Sequence, residues 1–152
     1  MNFCSLPQLL LKSYVDIQKY RFGDDFNVLY DLDELLFEVS IIKFVLQPIF
    51  ENAISHGRLH TVENGTIKLT LRNYEDGVEF KISDNGVGMS EEKLNDLREQ
   101  LISDTESESK DGGIGLKNVY RRIKLYYKGK GSMEVNSTEG KGTEVVLRLP
   151  FI

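Results

Sequence analysis

Val78-Glu79-Phe80-Lys81-Ile82-Ser83-Asp84-Asn85-Gly86-Val87-Gly88-Met89 is an alternating run that ends in a carboxylate and two closely spaced glycines. Val78 to Ser83 has the period of two expected of a strand with one buried face. Thr66 to Asn73 alternates in the same way, and Glu75-Asp76-Gly77 supplies the turn between them, so the two predict a hairpin. Asp84-Asn85-Gly86 is turn chemistry wherever it occurs, which explains why the strand stops but not why a second glycine follows. A carboxylate at a strand end, with glycines that let backbone approach a flat ligand, suits an adenine pocket. Asp84 can accept a hydrogen bond from an exocyclic amino group, which adenine carries and guanine lacks at that position. Buried readout of this kind discriminates strongly, because the wrong base leaves a polar group unpaired.

Outward from this run, Ser90 is placed to cap a helix through Leu101, with Glu91 and Glu92 in its favourable first turn. An acidic, serine-rich stretch from Ser103 to Asp111 follows. Gly113 to Tyr127 predicts a helix entered through glycines, and Ser132 to Ser137 against Thr143 to Leu149 a closing hairpin. In the other direction, Ile42 to Gly57 is expected to be a helix in which Pro48 makes a kink or marks an early turn. Phe26 to Tyr30 is expected as a short strand, and residues 8 to 22 as a helix stopped at Gly23. Strands and helices come in mixed order with hairpins, so the expected class is α+β, with a mixed, mostly antiparallel sheet covered on one face by helices.

Two more segments carry chemistry. Gly112-Gly113-Ile114-Gly115-Leu116-Lys117-Asn118 lies directly before a helix, where exposed backbone N–H groups and the helix N-terminus favour phosphate. Alone it is equally a hinge. Asn118 stands where a dinucleotide fingerprint needs its third glycine, and the chain has no GxxxxGK[ST] loop, which disfavours the two commonest nucleotide folds. On the helix around Asn52, spacing at 100° puts Leu46, Ile49, Phe50, Ala53 and Ile54 on one side and Glu51, Asn52, Ser55 and His56 on the other. That polar stripe fits a solvated face. That is the simpler reading of the helix alone; the stripe also suits a site in which Asn52 offers its carbonyl oxygen to Mg²⁺, with His56 one turn on near phosphate, since magnesium takes few protein ligands.

The 152 residues suit one domain, 1–152, and are 40% hydrophobic and 28% charged. A net charge of −5 argues against a nucleic-acid partner. There is no long uncharged apolar run and no secretion-signal layout, so the chain itself is expected outside the membrane, in the cytoplasm. The single cysteine, Cys4, cannot form an internal disulfide and has no zinc-type partner.

In order and spacing, NAISHG (52–57), DNGVGM (84–89), GGIGLKNV (112–119) and GKGT (140–143) resemble the N, G1, G2 and G3 boxes of the GHKL superfamily. Within it, IQKYRFGDDF (17–26) and LQPIFENAISHG (46–57) are similar to runs in the ATPase domain of LytS/YesM-like sensor histidine kinases. The resemblance covers about Ser13 to Pro150. It implies a Bergerat α/β sandwich with ATP between the helices and a mobile lid at about 89–111. It assigns Asn52 to Mg²⁺, Asp84 to the adenine amino group, and Gly86 and Gly88 to the pocket wall. Gly113, Gly115 and Leu116 go to the phosphates, and Thr143 to the base-side hydrogen-bond network. The implied activity is transfer of the γ-phosphate of ATP to a histidine.

Two departures refine that expectation. Hydrolytic members of the superfamily place a glutamate base four residues before the metal-binding asparagine, and here that position is Pro48. Positions 48 and 52 share a helix face, so no side chain there can activate water. Glu51 lies about 100° round from Asn52. A kinase whose nucleophile is an imidazole needs no such base, and phosphoryl transfer relies on positioning and charge neutralisation. Second, the chain has only His56 and His60, neither in the family's acceptor context. The phosphoacceptor domain is therefore expected to be separate, in a dimeric, membrane-anchored parent kinase that serves a response regulator. An ATP-hydrolysing clamp and a non-catalytic docking module remain the alternatives.

Overall fold

A computed structural model describes residues 3–5, 8–23, 25–42, 44–103 and 113–151. The first half contains β1 (Phe3–Ser5), α1 (Gln8–Phe22), β2 (Phe26–Leu32), a 3-10 turn at Glu34–Leu36, β3 (Ser40–Ile42) and α2 (Gln47–Ser55). A second 3-10 turn at Leu59–Thr61 leads to β4 (Gly65–Tyr74) and β5 (Gly77–Asp84). Then come α3 (Glu91–Ile102), α4 (Gly113–Tyr126), β6 (Ser132–Thr138) and β7 (Gly142–Pro150).

Five strands form one sheet in the order β2-β4-β5-β7-β6. Only β2 and β4 are parallel; the other three pairings are antiparallel. The parallel pair needs a crossover, and α2 lies within it. Register explains why the sheet has one covered face. Leu69 opposes Ile82, Ile82 opposes Val145, and Val145 opposes Val135, all buried. Ile49, Phe50, Ala53 and Ile54 of α2, Leu94, Leu97 and Leu101 of α3, and Leu116, Val119 and Ile123 of α4 close over this face. Each large side chain among them contributes roughly 1.5–3 kcal/mol by burial.

The alternate residues make the other face a ladder of opposite charges. Arg148 bonds Glu79 at 2.8 Å and also Glu134, Lys68 lies 3.6 Å from Asp31, and Lys81 lies 3.9 Å from Glu144. Such pairs stabilise little individually. Their aliphatic stems still shelter Val146, which is 4% exposed on this side of β7.

The expected hairpins are present, each slightly longer than the alternation indicates. At Glu75 the first turns through φ +47°. The hydroxyl of Ser90 accepts from the N–H of Lys93, as expected of a cap on α3. The helix expected from Ile42 to Gly57 is shorter. Ile41 and Ile42 belong to β3, which pairs with β1, and α2 begins only at Gln47, with Pro48 in its first turn. A helix begun at Ile42 would set the proline ring against a carbonyl one turn back, whereas in the first turn its missing N–H has no partner to lose. Of the expected lid, Met89 to Ser103 is described and is largely the docked helix α3. Residues 104–112, with most of the acidic stretch and Gly112, lie outside the described residues, and with them the rest of the expected mobile lid.

Candidate functional site

Three of the quoted segments meet at one end of the sheet, on its helix-covered side. Helix α2 ends there: the N–H groups of His56 and Gly57 both donate to the carbonyl of Asn52, at 2.9 and 3.1 Å. The loop after β5 docks onto this end, Val87 N–H donating to the Gly57 carbonyl at 2.9 Å. The β6–β7 turn closes the other side, with Gly140 N–H donating to the Val87 carbonyl at 2.7 Å.

Asp84 is at the centre of this junction. Its Oδ1 accepts the N–H of Gly86 at 2.8 Å and the N–H of Thr143 at 3.3 Å. Its other oxygen takes no hydrogen bond among the described residues. Desolvation by burial pushes the carboxyl up to about 6, and the Gly86 and Thr143 amides oppose that shift without cancelling it. Asn85, by contrast, is spent on structure. Its side chain accepts from Thr66 N–H at 2.7 Å and donates to the Asn64 carbonyl at 3.0 Å, pinning the loop to the start of β4.

The glycines have a more local cause than approach to a flat ligand. A Cβ on Gly86 would lie 2.3 Å from the Gly57 carbonyl oxygen, and one on Gly88, at φ +64°, 2.0 Å from that of Thr138. Both positions are closed by the protein's own backbone. Gly142, at φ +111°, has the same constraint, its Cβ falling 1.9 Å from the Asp84 carbonyl oxygen. Sequence reasoning placed Gly142 in a box without a role. It missed Ser137 altogether, whose hydroxyl contacts Met89 N–H, the Gly142 carbonyl and the Thr143 hydroxyl at 2.8–2.9 Å.

The segment expected to face phosphate joins this junction less directly. Gly113 is the first residue of α4. A Cβ on Gly115 would come 3.7 Å from Pro48 Cβ, so this residue lies against the start of α2, one turn before Asn52. Leu116 is 2% exposed and belongs to the core, which leaves only its backbone for a ligand. Asn52 is half-buried and His56 exposed, and neither side chain is hydrogen-bonded among the described residues. Among those residues no three His, Cys, Asp or Glu side chains converge as a metal site. An uncommitted amide oxygen at Asn52 fits a magnesium ion that takes most of its ligands from water and phosphate. A cavity of about 500 Å³ at the far end of the sheet, among Tyr74, Tyr127, Lys130 and Phe151, contains none of these residues.

Comparison with known proteins is consistent with this geometry. The family described as Histidine kinase-, DNA gyrase B-, and HSP90-like ATPase matches residues 39–152. The chain is 30% identical over 153 residues to the sensor protein LytS of Staphylococcus saprophyticus, covering 99% of this chain and 25% of that protein. It is 30% identical over 141 residues to the sensor protein kinase HptS of Staphylococcus aureus, covering 93% of this chain and 26% of that protein. It thus spans about a quarter of either relative. The catalytic domain of histidine kinase ThkA superposes with a TM-score of 0.69 at 20% identity, each chain covered to 99%, which establishes the shared fold. No helix among the described residues is long and apolar enough to cross a membrane. The chain belongs to the histidine kinase-, DNA gyrase B- and HSP90-like ATPase family, as an ATP-binding catalytic domain of the LytS-like sensor kinase kind.

Proposed function

We propose that the chain binds ATP with Mg²⁺ between α2 and α4 and transfers the γ-phosphoryl group to a histidine on a separate acceptor domain. The observation that carries this is Asp84. One of its oxygens is held by two backbone amides, and the other is left, in a partly desolvated site, for a donor such as the adenine amino group. Thr143 supports the same carboxylate, and the backbone around Gly86 and Gly88 forms the adjoining wall. Gly113, Gly115 and the backbone of Leu116 would face phosphate at the start of α4. Asn52 would hold the magnesium ion, with His56 nearby, and the ion would neutralise charge on the phosphates.

In the transfer, the lone pair of an acceptor imidazole nitrogen forms the N–P bond. The bond from phosphorus to the β,γ-bridging oxygen breaks, and ADP leaves with that electron pair. The imidazole proton passes to solvent. No residue of this chain need act as a base, consistent with Pro48 where hydrolytic relatives keep glutamate. The acceptor domain would belong to a dimeric parent kinase held at the cell membrane, with this chain on the cytoplasmic side and a response regulator downstream.

Titration with ATP and GTP, with and without Mg²⁺, tests the binding half, and ATP should bind in preference to GTP. Incubation with ATP and a LytS-type acceptor domain tests the transfer, which should yield acid-labile phosphohistidine. Binding without any such product would leave a docking module instead.

A further inference from the structure

The hydrogen-bond balance at Ser137 fixes the direction of every proton around it. Its hydroxyl has one proton and two lone pairs. The Met89 N–H at 2.9 Å can only donate, so it occupies one lone pair. The Gly142 carbonyl at 2.9 Å can only accept, so it takes the Ser137 proton. The Thr143 hydroxyl at 2.8 Å must therefore donate into the remaining lone pair. Thr143 Oγ1 is left with acceptor capacity alone. Ser137 and Thr143 are cross-strand partners in the β6–β7 register, so their side chains share a sheet face. Ile82 and Val145 are partners on that same face, which places Asp84 and Thr143, each two residues away from one of them, on it too.

We propose that Ser137 is a positioning residue that sets the base preference of this site, by holding the Thr143 hydroxyl as an acceptor beside the acceptor oxygen of Asp84. The inference rests on the nucleotide assignment above and deepens it. Two neighbouring acceptors favour a ligand edge that donates, such as an amino group or a water relaying one. They disfavour an oxo group, which would meet lone pairs on both sides. Without the Ser137 oxygen, the Thr143 hydroxyl is free to turn and donate, and the site loses its polarity. The same serine anchors Met89, so the root of α3 and the base-side threonine are held by one atom.

Inosine triphosphate is the discriminating probe, because it carries oxo where ATP carries amino and lacks the extra amino group of GTP. Affinities of the full chain for ATP and inosine triphosphate should be measured by calorimetry, in the wild type, Ser137→Ala and Ser137→Thr. The wild type should prefer ATP. Ser137→Ala should shrink the ATP-to-inosine ratio about tenfold, the scale of one mispaired buried group, and Ser137→Thr, which keeps the oxygen, should restore it. If Ser137→Ala does not fold, Ser137→Cys, with a weakly bonding sulfur of similar size, gives the same readout. An equal loss for both nucleotides, with the ratio unchanged, would assign Ser137 a purely structural role and overturn the proposal. A wild type that binds both alike overturns it too, whereas one that binds neither refutes the nucleotide assignment itself.

Discussion

Val87 donates its backbone N–H to the carbonyl of Gly57 at 2.9 Å, joining the loop after β5 to the last residue of the helix turn that carries Asn52 and His56. The contact is possible because Gly86, beside Val87, has no side chain to push that carbonyl away.

Gly86→Ala should therefore destabilise the fold by about 2–4 kcal/mol, since its Cβ would meet backbone on one side and Asp84 on the other. Gly140→Ala is the matched control. That glycine, unlike Gly86, needs a left-handed backbone, at φ +76°, but has nothing within 4 Å, so about 1 kcal/mol is expected. Chemical denaturation of the two variants tests the comparison, and equal losses would contradict it.

Asp84→Asn should separate binding from stability. The amide keeps an oxygen for Gly86 and Thr143 but places a donor where the carboxylate offered an acceptor, so ATP affinity should fall about tenfold or more. The empty protein should gain stability at neutral pH, on the order of 3 kcal/mol at most, because a partly buried charge is removed. Unchanged ATP affinity in calorimetry would remove Asp84 from the site.

The same carboxyl predicts a pH dependence of opposite sign for the empty and bound forms. Its folded value of about 6 stands above the ordinary 3.8, so its stabilising contribution is complete below about pH 4 and is lost as pH rises through 6. ATP binding should instead weaken as pH falls through 6, because the protonated acid no longer offers a free acceptor. Phosphate on ATP titrates nearby. The diagnostic is therefore the part of the binding profile that disappears in Asp84→Asn.

Glu51 is exposed and unbonded among the described residues, and Pro48 holds the position of the missing base. The purified chain should hydrolyse ATP slowly, and Glu51→Ala should leave that rate within about twofold, well short of the 10²–10⁴ contributed by a working general base. A large drop in a phosphate-release assay would favour the hydrolytic clamp.

Local signals made much of this molecule legible. Alternation marked β4 and β5, and α1 stops at Phe22, just before Gly23, as the sequence predicts. Pro48 signalled a helix start, but its weight was underestimated because Ile41 and Ile42 also suit a helix. Only their pairing with Phe3 and Cys4, almost 40 residues away, makes them a strand, and periodicity carries no trace of it. The parallel β2–β4 edge was hidden for the same reason. In the candidate site, Asp84 and Thr143 stood out by motif, while Ser137 lies in an ordinary alternating strand. Its importance comes from facing Thr143 across the ladder, and exact register is what sequence leaves open. The glycines stood out in the sequence, but the backbone that crowds Gly86, Gly88 and Gly142 comes from other segments, so that crowding needed coordinates.

Arg98, on the surface of α3, donates from Nε and Nη2 to the Val135 carbonyl of the outer strand β6, at 3.1 and 2.7 Å. An edge carbonyl already engaged by a guanidinium cannot template another strand. The sheet therefore has one stoppered margin, and lateral growth into aggregates is obstructed on the side where α3 lies.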